Sequence, residues 1–119
     1  MKVAYVAGHY SADTDWERGR NIEAARVVAA QLWREGFAVI CPHSNSAWMD
    51  GVSTGSNVFY EGYIEILKRC DLVVMVGKFC GSVGAMEEIR VACETAIPVL
   101  YTVDSAVRWR AEVEAQGGA

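Results

Sequence analysis

Four short apolar runs rich in β-branched residues, Val3–Ala7, Phe37–Cys41, Leu72–Val76 and Ile97–Val103, alternate with stretches whose apolar residues recur at helical spacing. An unbroken apolar run of this length suits a strand covered on both faces, and the intervening helices are the natural cover. Strand, helix and strand joined by right-handed crossovers give a parallel sheet with helices on both sides. The expected fold class is therefore α/β: a single-domain, doubly wound parallel sheet of flavodoxin or Rossmann-like type over residues 1–119, strand order 2-1-3-4, with room for a fifth strand. In that order the first and third strands are neighbours at the switch point, where ligands bind beyond the carboxyl ends of strands.

The helical stretches carry their own boundaries. Thr14-Asp15-Trp16-Glu17 fits a capping box, and Ile22, Ala25, Ala29 and Leu32 then repeat on one face until Gly36 stops the helix. Phe59, Tyr63, Ile66, Leu67 and Cys70 form a second stripe, predicting a helix from about Ser56 to Cys70 with Lys68 and Arg69 at its end. A third helix is expected over Ala85–Thr95 and a last one over Ser105–Gln116, while Pro98 is tolerated near the start of the fourth strand. The stretch from Pro42 through Asn57 has no clear period.

Composition narrows the class of function. Of the 119 residues 52% are hydrophobic and 22% charged, a globular balance, and no apolar run approaches the ~18 residues of a membrane span. The apolar N-terminal stretch is too short for a signal peptide, so a cytoplasmic protein with no membrane partner is expected. Four scattered cysteines without a CxxC pair read as buried small hydrophobes. The net charge of −4, with both signs interleaved, lacks the basic footprint that a nucleic-acid polymer requires, but one nucleotide needs only backbone amides and one or two arginines.

Two loops attract attention as chemistry. Gly8-His9-Tyr10-Ser11 follows the first strand, and Gly77 to Gly84 follows the third; neither is a GxxxxGK[ST] or GxGxxG phosphate loop. What remains is Ser82-Val83-Gly84-Ala85-Met86-Glu87-Glu88, a small-residue turn opening a helix with two carboxylates in its first turns. Free amides and the positive end of the helix dipole coincide there and favour an anion, although Ser82 also suits a plain helix cap and a first-turn glutamate a plain dipole partner. Glu87 and Glu88 point about 100° apart, so one alone faces a cleft; the apolar neighbours Ala85, Met86, Ile89 and Ala92 define the buried face and put Glu88 at its cleft-side edge. Tyr5, Tyr10 and Trp16 offer stacking surfaces, with Tyr5 reading as core and Trp16 equally as packing for the first helix. A metal at Cys41 and His43 lacks a third and fourth ligand.

The segment Asp71 to Leu100 resembles the nucleoside 2-deoxyribosyltransferases and the nucleoside 5′-monophosphate N-glycosidases, in which an aspartate-led strand precedes S-x-G-x-x-x-E; Ser82, Gly84 and Glu88 stand at those places. It is similar also to related phage and bacterial domains with an N-x-x-x-A…G…P-H segment, matched by Asn21, Ala25, Gly36, Pro42 and His43. The resemblance extends in order and spacing over nearly the whole chain. It implies Glu88 as a nucleophile at the anomeric carbon and Ser82 and Gly84 as phosphate contacts. It implies a homodimer or larger homo-oligomer, a small-molecule nucleoside or nucleotide as partner, and no cofactor. Two positions depart from the family pattern. Gly8-His9-Tyr10 replaces Gly-Pro-Tyr or Gly-Pro-Phe, and Tyr63 replaces an acidic residue on the second helix, a tyrosine being a poor proton acceptor at neutral pH.

The expected function is cleavage or transfer at an N-glycosidic bond. Glu88, Tyr63 and His9 are the expected catalytic residues and Gly8, Tyr10, Ser82, Gly84, Asn21 and His43 the expected substrate contacts. His9 enters as a proton donor because histidine ordinarily titrates near neutrality. The alternative is a non-catalytic nucleotide-binding module of the same fold, for which the exchange at Tyr63 argues.

Overall fold

The computed structural model describes residues 1–49, 58–77 and 82–117. Four parallel strands, β1 (Val3–Gly8), β2 (Ala38–Ile40), β3 (Leu72–Val76) and β4 (Val99–Leu100), form one sheet in the order β2-β1-β3-β4. Between and after them run α1 (Asp15–Arg34), α2 (Pro42–Asn45), α3 (Val58–Leu67), α4 (Val83–Glu94) and α5 (Val103–Ala115). The doubly wound sheet and the strand order are those the alternation of elements predicts, and no fifth strand occurs among the described residues.

The pleat sorts the core into two layers, because alternate residues of a strand face opposite sides. Ala4 and Val6 of β1 and Leu72 and Val74 of β3 pack under Ala25, Ala29 and Leu32 of α1 and Ala106 of α5. Tyr5 and Ala7, with Val73 and Met75, pack instead under Leu67 of α3 and under Ala85, Val91 and Ala92 of α4. The second layer matters most for function, since it brings Tyr5 beneath α4.

Asp71 sets the register of the two central strands. Its carboxylate accepts from the Val3 amide at 2.7 Å and its own amide donates to the Val3 carbonyl at 2.8 Å, so β3 starts in step with β1 and the strands end together at Gly8 and Val76. Gly8 is closely packed: a Cβ there would stand 3.0 Å from the Val76 carbonyl oxygen and 3.3 Å from the Val76 Cβ, so the Val76 backbone would have to give way.

Local signals place the helices. The Thr14 hydroxyl accepts from the Glu17 amide at 3.1 Å, the N-cap half of the expected box. At the other end Gly36 adopts φ +90°, and the amides of Gly36 and Phe37 return to the carbonyls of Trp33 and Leu32, closing the helix and swinging Phe37 into the core.

Several boundaries differ from expectation. β4 spans two residues rather than Ile97–Val103, because Thr102 and Ser105 form a reciprocal capping box that starts α5 two residues early. β2 stops at Ile40, and Cys41 caps an unexpected helical turn, α2, which Pro42 opens with its fixed φ. α3 ends at Leu67, leaving Lys68 and Arg69 just past it, with Arg69 paired to Glu65 at 3.0 Å. The start expected for that helix, at Ser56, and the centre of the second glycine loop, including Cys80 and Gly81, lie outside the described residues. Among the described residues no helix is long and apolar enough to cross a membrane.

Candidate functional site

At the carboxyl ends of β1 and β3 a cavity of about 570 Å³ opens between the Gly8–Ser11 loop, α2, α3 and the start of α4. Its size suits a small ligand. Of the residues expected to act, Gly8, His9, Tyr10, His43, Tyr63, Ser82, Gly84 and Glu88 all line it.

Glu88 reaches the wall from the second turn of α4 and is half-buried. The hydroxyl of Tyr5, rising from the fully buried centre of β1, donates a hydrogen bond to its Oε2. Burial raises the Glu88 carboxyl to about 7, and the bond from Tyr5 pulls in the opposite direction. The Tyr5 phenol is held well above its ordinary value, by burial first and then by the carboxylate beside it, so it stays protonated as a donor. Tyr5 is core, as its strand position suggests, but its polar tip belongs to the site. A tyrosine in an otherwise apolar buried strand needs a partner for its hydroxyl, and that is the signal that could have found the pair.

Glu87 has a different setting. It forms an ion pair with Arg90, which also holds Glu94 at 2.6 Å, and this partner draws the Glu87 carboxyl down to about 2. It is absent from the cavity lining. The buried face of α4 is made by Ala85, Val91 and Ala92, with Ile89 packed against them; Met86, expected there, is 48% exposed because it lies on the outer side of the first turn.

The Ser82 hydroxyl caps α4 by accepting from the Ala85 amide at 3.2 Å, which leaves its own proton to donate. The amides of Val83 and Gly84, in the first turn, have no intrahelical acceptor. A Cβ at Gly84 would meet nothing within 4 Å, so space and not backbone strain is what this glycine supplies.

The opposite wall is aromatic. His43 is 5% exposed, its ring lies edge-on to Tyr10 at 5.6 Å, and its Nδ1 is buried without a hydrogen-bond partner. Burial holds this imidazole below its ordinary value, against an opposing pull from the backbone of His9 and Gly8, so it is neutral at pH 7. The Arg18 guanidinium lies 5.7 Å over the Tyr10 ring and 5.3 Å over that of Trp48, whose amide donates to the Tyr10 hydroxyl at 3.4 Å. Trp48 adopts φ +62°, an uncommon conformation for so bulky a residue. No periodicity announces this clamp in the sequence.

Two expected residues sit differently from their assigned roles. The Tyr63 hydroxyl donates to Ser46 Oγ at 2.8 Å and accepts from Asn45 Nδ2 at 2.9 Å, tying α3 to the end of α2. Asn21 does not line the cavity; its amide donates to the Tyr10 carbonyl at 3.3 Å and its side chain borders a neighbouring groove. Trp16, weighed as helix packing, is instead 69% exposed on that same groove. Cys41 and His43 are both buried, and among the described residues no three potential metal ligands cluster.

Curated proteins give no sequence match. Among solved structures, a 2-deoxyribosyltransferase from the psychrotolerant bacterium Bacillus psychrosaccharolyticus superimposes with a TM-score of 0.58 at 20% identity, covering 82% of this chain and 69% of that one. The two share the fold, which is the likeness that Ser82, Gly84 and Glu88 signal in the sequence. A family model described as a domain of unknown function, DUF4406, matches residues 1–101, and the chain belongs to that family.

Proposed function

We propose that the protein cleaves or transfers at the N-glycosidic bond of a nucleoside or nucleoside 5′-monophosphate, with Glu88 as nucleophile. The observation that carries this reading is the placement of the Glu88 carboxylate on the cavity wall, hydrogen-bonded by Tyr5. Likeness in fold to a 2-deoxyribosyltransferase supports it.

In the first step a Glu88 carboxylate oxygen bonds to the anomeric carbon while the bond from that carbon to the base nitrogen breaks, its electron pair leaving with the base. His9, exposed on the lining, gives the departing base a proton. In the second step water or a second base attacks the same carbon, the bond to Glu88 breaks, and the proton of the attacking group returns to His9. Negative charge beside an oxocarbenium-like transition state stabilises both steps. The Ser82 hydroxyl and the first amides of α4 receive the 5′-phosphate, and Tyr10 and the neutral ring of His43 face the base. Tyr63 acts through Asn45 and Ser46, as a strut and not as an acid. The exposed side chains Tyr60 and Val83 on the lining support a homo-oligomer in which a second copy closes the mouth.

A second reading, a nucleotide-binding module without catalysis, is favoured by one observation: both neighbours of the Tyr63 hydroxyl are within the protein, so the position that is acidic in the resembling family carries no free proton acceptor. Incubation with a panel of nucleosides and 5′-monophosphates, followed by chromatography for free base, separates the two. Release of base that Glu88→Ala abolishes supports the enzyme; binding without release supports the module.

A further inference from the structure

Beside the Glu88 cavity runs a second groove of about 750 Å³, bordered by Asp13, Trp16, Glu17, Arg20 and Asn21. The two hollows share His9 and Ser11 and so lie on either side of the loop after β1. The mononucleotide reading fills the first hollow and gives no use to the second.

The groove has the chemistry of a site for a planar ring. Trp16 stands 69% exposed in the first turn of α1, where a polar residue would serve the helix better. Its ring is held by the Arg20 guanidinium, one turn on, at 5.0 Å from its centroid, which orders the indole without burying it. Asp13 and Glu17 place carboxylates along the same groove, acceptors suited to the exocyclic amino group of a base and unsuited to a phosphate. At the dividing loop Ser11 is exposed, lines the first cavity together with Ser82 and borders the second groove, so its hydroxyl is a donor suited to an anionic linker that runs from Ser82 toward Trp16. Asn21 ties the two halves together: it borders the second groove while its amide holds the carbonyl of Tyr10, whose ring faces the first.

We propose that the second groove is a subsite for the distal base of a dinucleotide, stacked on Trp16, with the reacting nucleoside in the Glu88 cavity, its own phosphate at Ser82 and the second phosphate crossing the cavity mouth to Ser11. The inference deepens the glycosidase reading and rests on it. It assigns Trp16 as a specificity-determining residue and gives Asn21 the task of setting one subsite against the other.

The test compares two probes by calorimetric titration: the 5′-monophosphate that the protein binds best among the common bases, and the symmetric dinucleotide made by joining two such units through a 5′,5′-pyrophosphate. The wild-type protein is expected to bind the dinucleotide about tenfold more tightly, the usual effect of one base–aromatic stack. Trp16→Ala, an exposed position whose loss spares the fold, removes that gain and leaves the monophosphate affinity within about twofold, while Trp16→Phe keeps most of it. If the monophosphate binds but the dinucleotide binds no better, or if Trp16→Ala weakens both probes alike, the subsite is refuted and the glycosidase reading stands. If no monophosphate or nucleoside binds at all, the glycosidase reading falls and the subsite with it.

Discussion

Replacing Glu88 by Gln tests the electrostatics of the site without any substrate. The carboxyl is raised from its ordinary 4.5 to about 7 in the folded protein, mainly by burial. A carboxyl that binds its proton more tightly when folded makes folding most favourable below pH 4.5; stability is then lost as the pH rises through 7 and levels off above it. At 1.36 kcal/mol per unit, the shift corresponds to roughly 3 kcal/mol, and partial exposure of the side chain makes this an upper bound. Glutamine has nearly the same shape, stays neutral and still accepts from Tyr5. Glu88→Gln is therefore expected to match the wild type at pH 4.5 and to exceed it by about 2–3 kcal/mol at pH 8, near ten degrees in melting temperature for a chain of this size. His43 acts in the opposite sense. Its lowered value costs stability as the pH falls below about 6.5. It is common to both proteins and cancels in their difference. Urea titrations of the pair at half-unit steps from pH 4.5 to 8.5 measure that difference. A gap that does not change with pH, or one that narrows as the pH rises, refutes the burial argument.

Tyr5→Phe removes the donor that pulls the Glu88 carboxyl down, so the acid limb of the pH–rate profile for base release is expected to move to higher pH; an unmoved limb contradicts the pair. Two glycines separate packing from function: Gly8→Ala forces the Val76 backbone aside and is expected to cost about 1–3 kcal/mol in denaturant titration, whereas Gly84→Ala is expected to leave stability equal or up to about 1 kcal/mol higher while weakening nucleotide binding. Glu87→Ala loses a surface ion pair with Arg90 and should keep most activity and nearly all stability, which thermal melts and base-release assays check together.

The sheet was readable because its evidence is periodic. Continuous apolar runs and a 3.6-residue stripe are properties of many residues at once, and they place β1 beside β3 whatever any one side chain does. The ends of elements depend on single hydrogen bonds, which explains β4: Thr102 reads equally as the end of a strand or the cap of a helix, and its bond with Ser105 decides. Within the site, Glu88 could be told from Glu87 by helical geometry together with a motif. The partner of Glu88 left a weaker mark: Tyr5 lies 83 residues away in sequence, and only the need of a buried-strand hydroxyl for an acceptor points to it. Arg18, Trp48 and Ser46 left none, because the contacts of Trp48 with Arg18 and Tyr10 and of Ser46 with Tyr63 follow α2, a helical turn that no spacing predicts. Asn21 was drawn into the site by a motif, and the structure places it one shell out, holding the Tyr10 loop.

The central claim is a covalent bond between Glu88 and the sugar. Its most direct measurement is mass spectrometry of the protein quenched in acid during turnover of the nucleoside or 5′-monophosphate that releases base fastest, followed by proteolysis to locate any adduct. The account predicts an added sugar mass on the peptide containing Glu88, assigned by fragmentation to Glu88 and absent from the Glu88→Ala protein. An adduct on another residue, or base release that persists in Glu88→Ala, would contradict it.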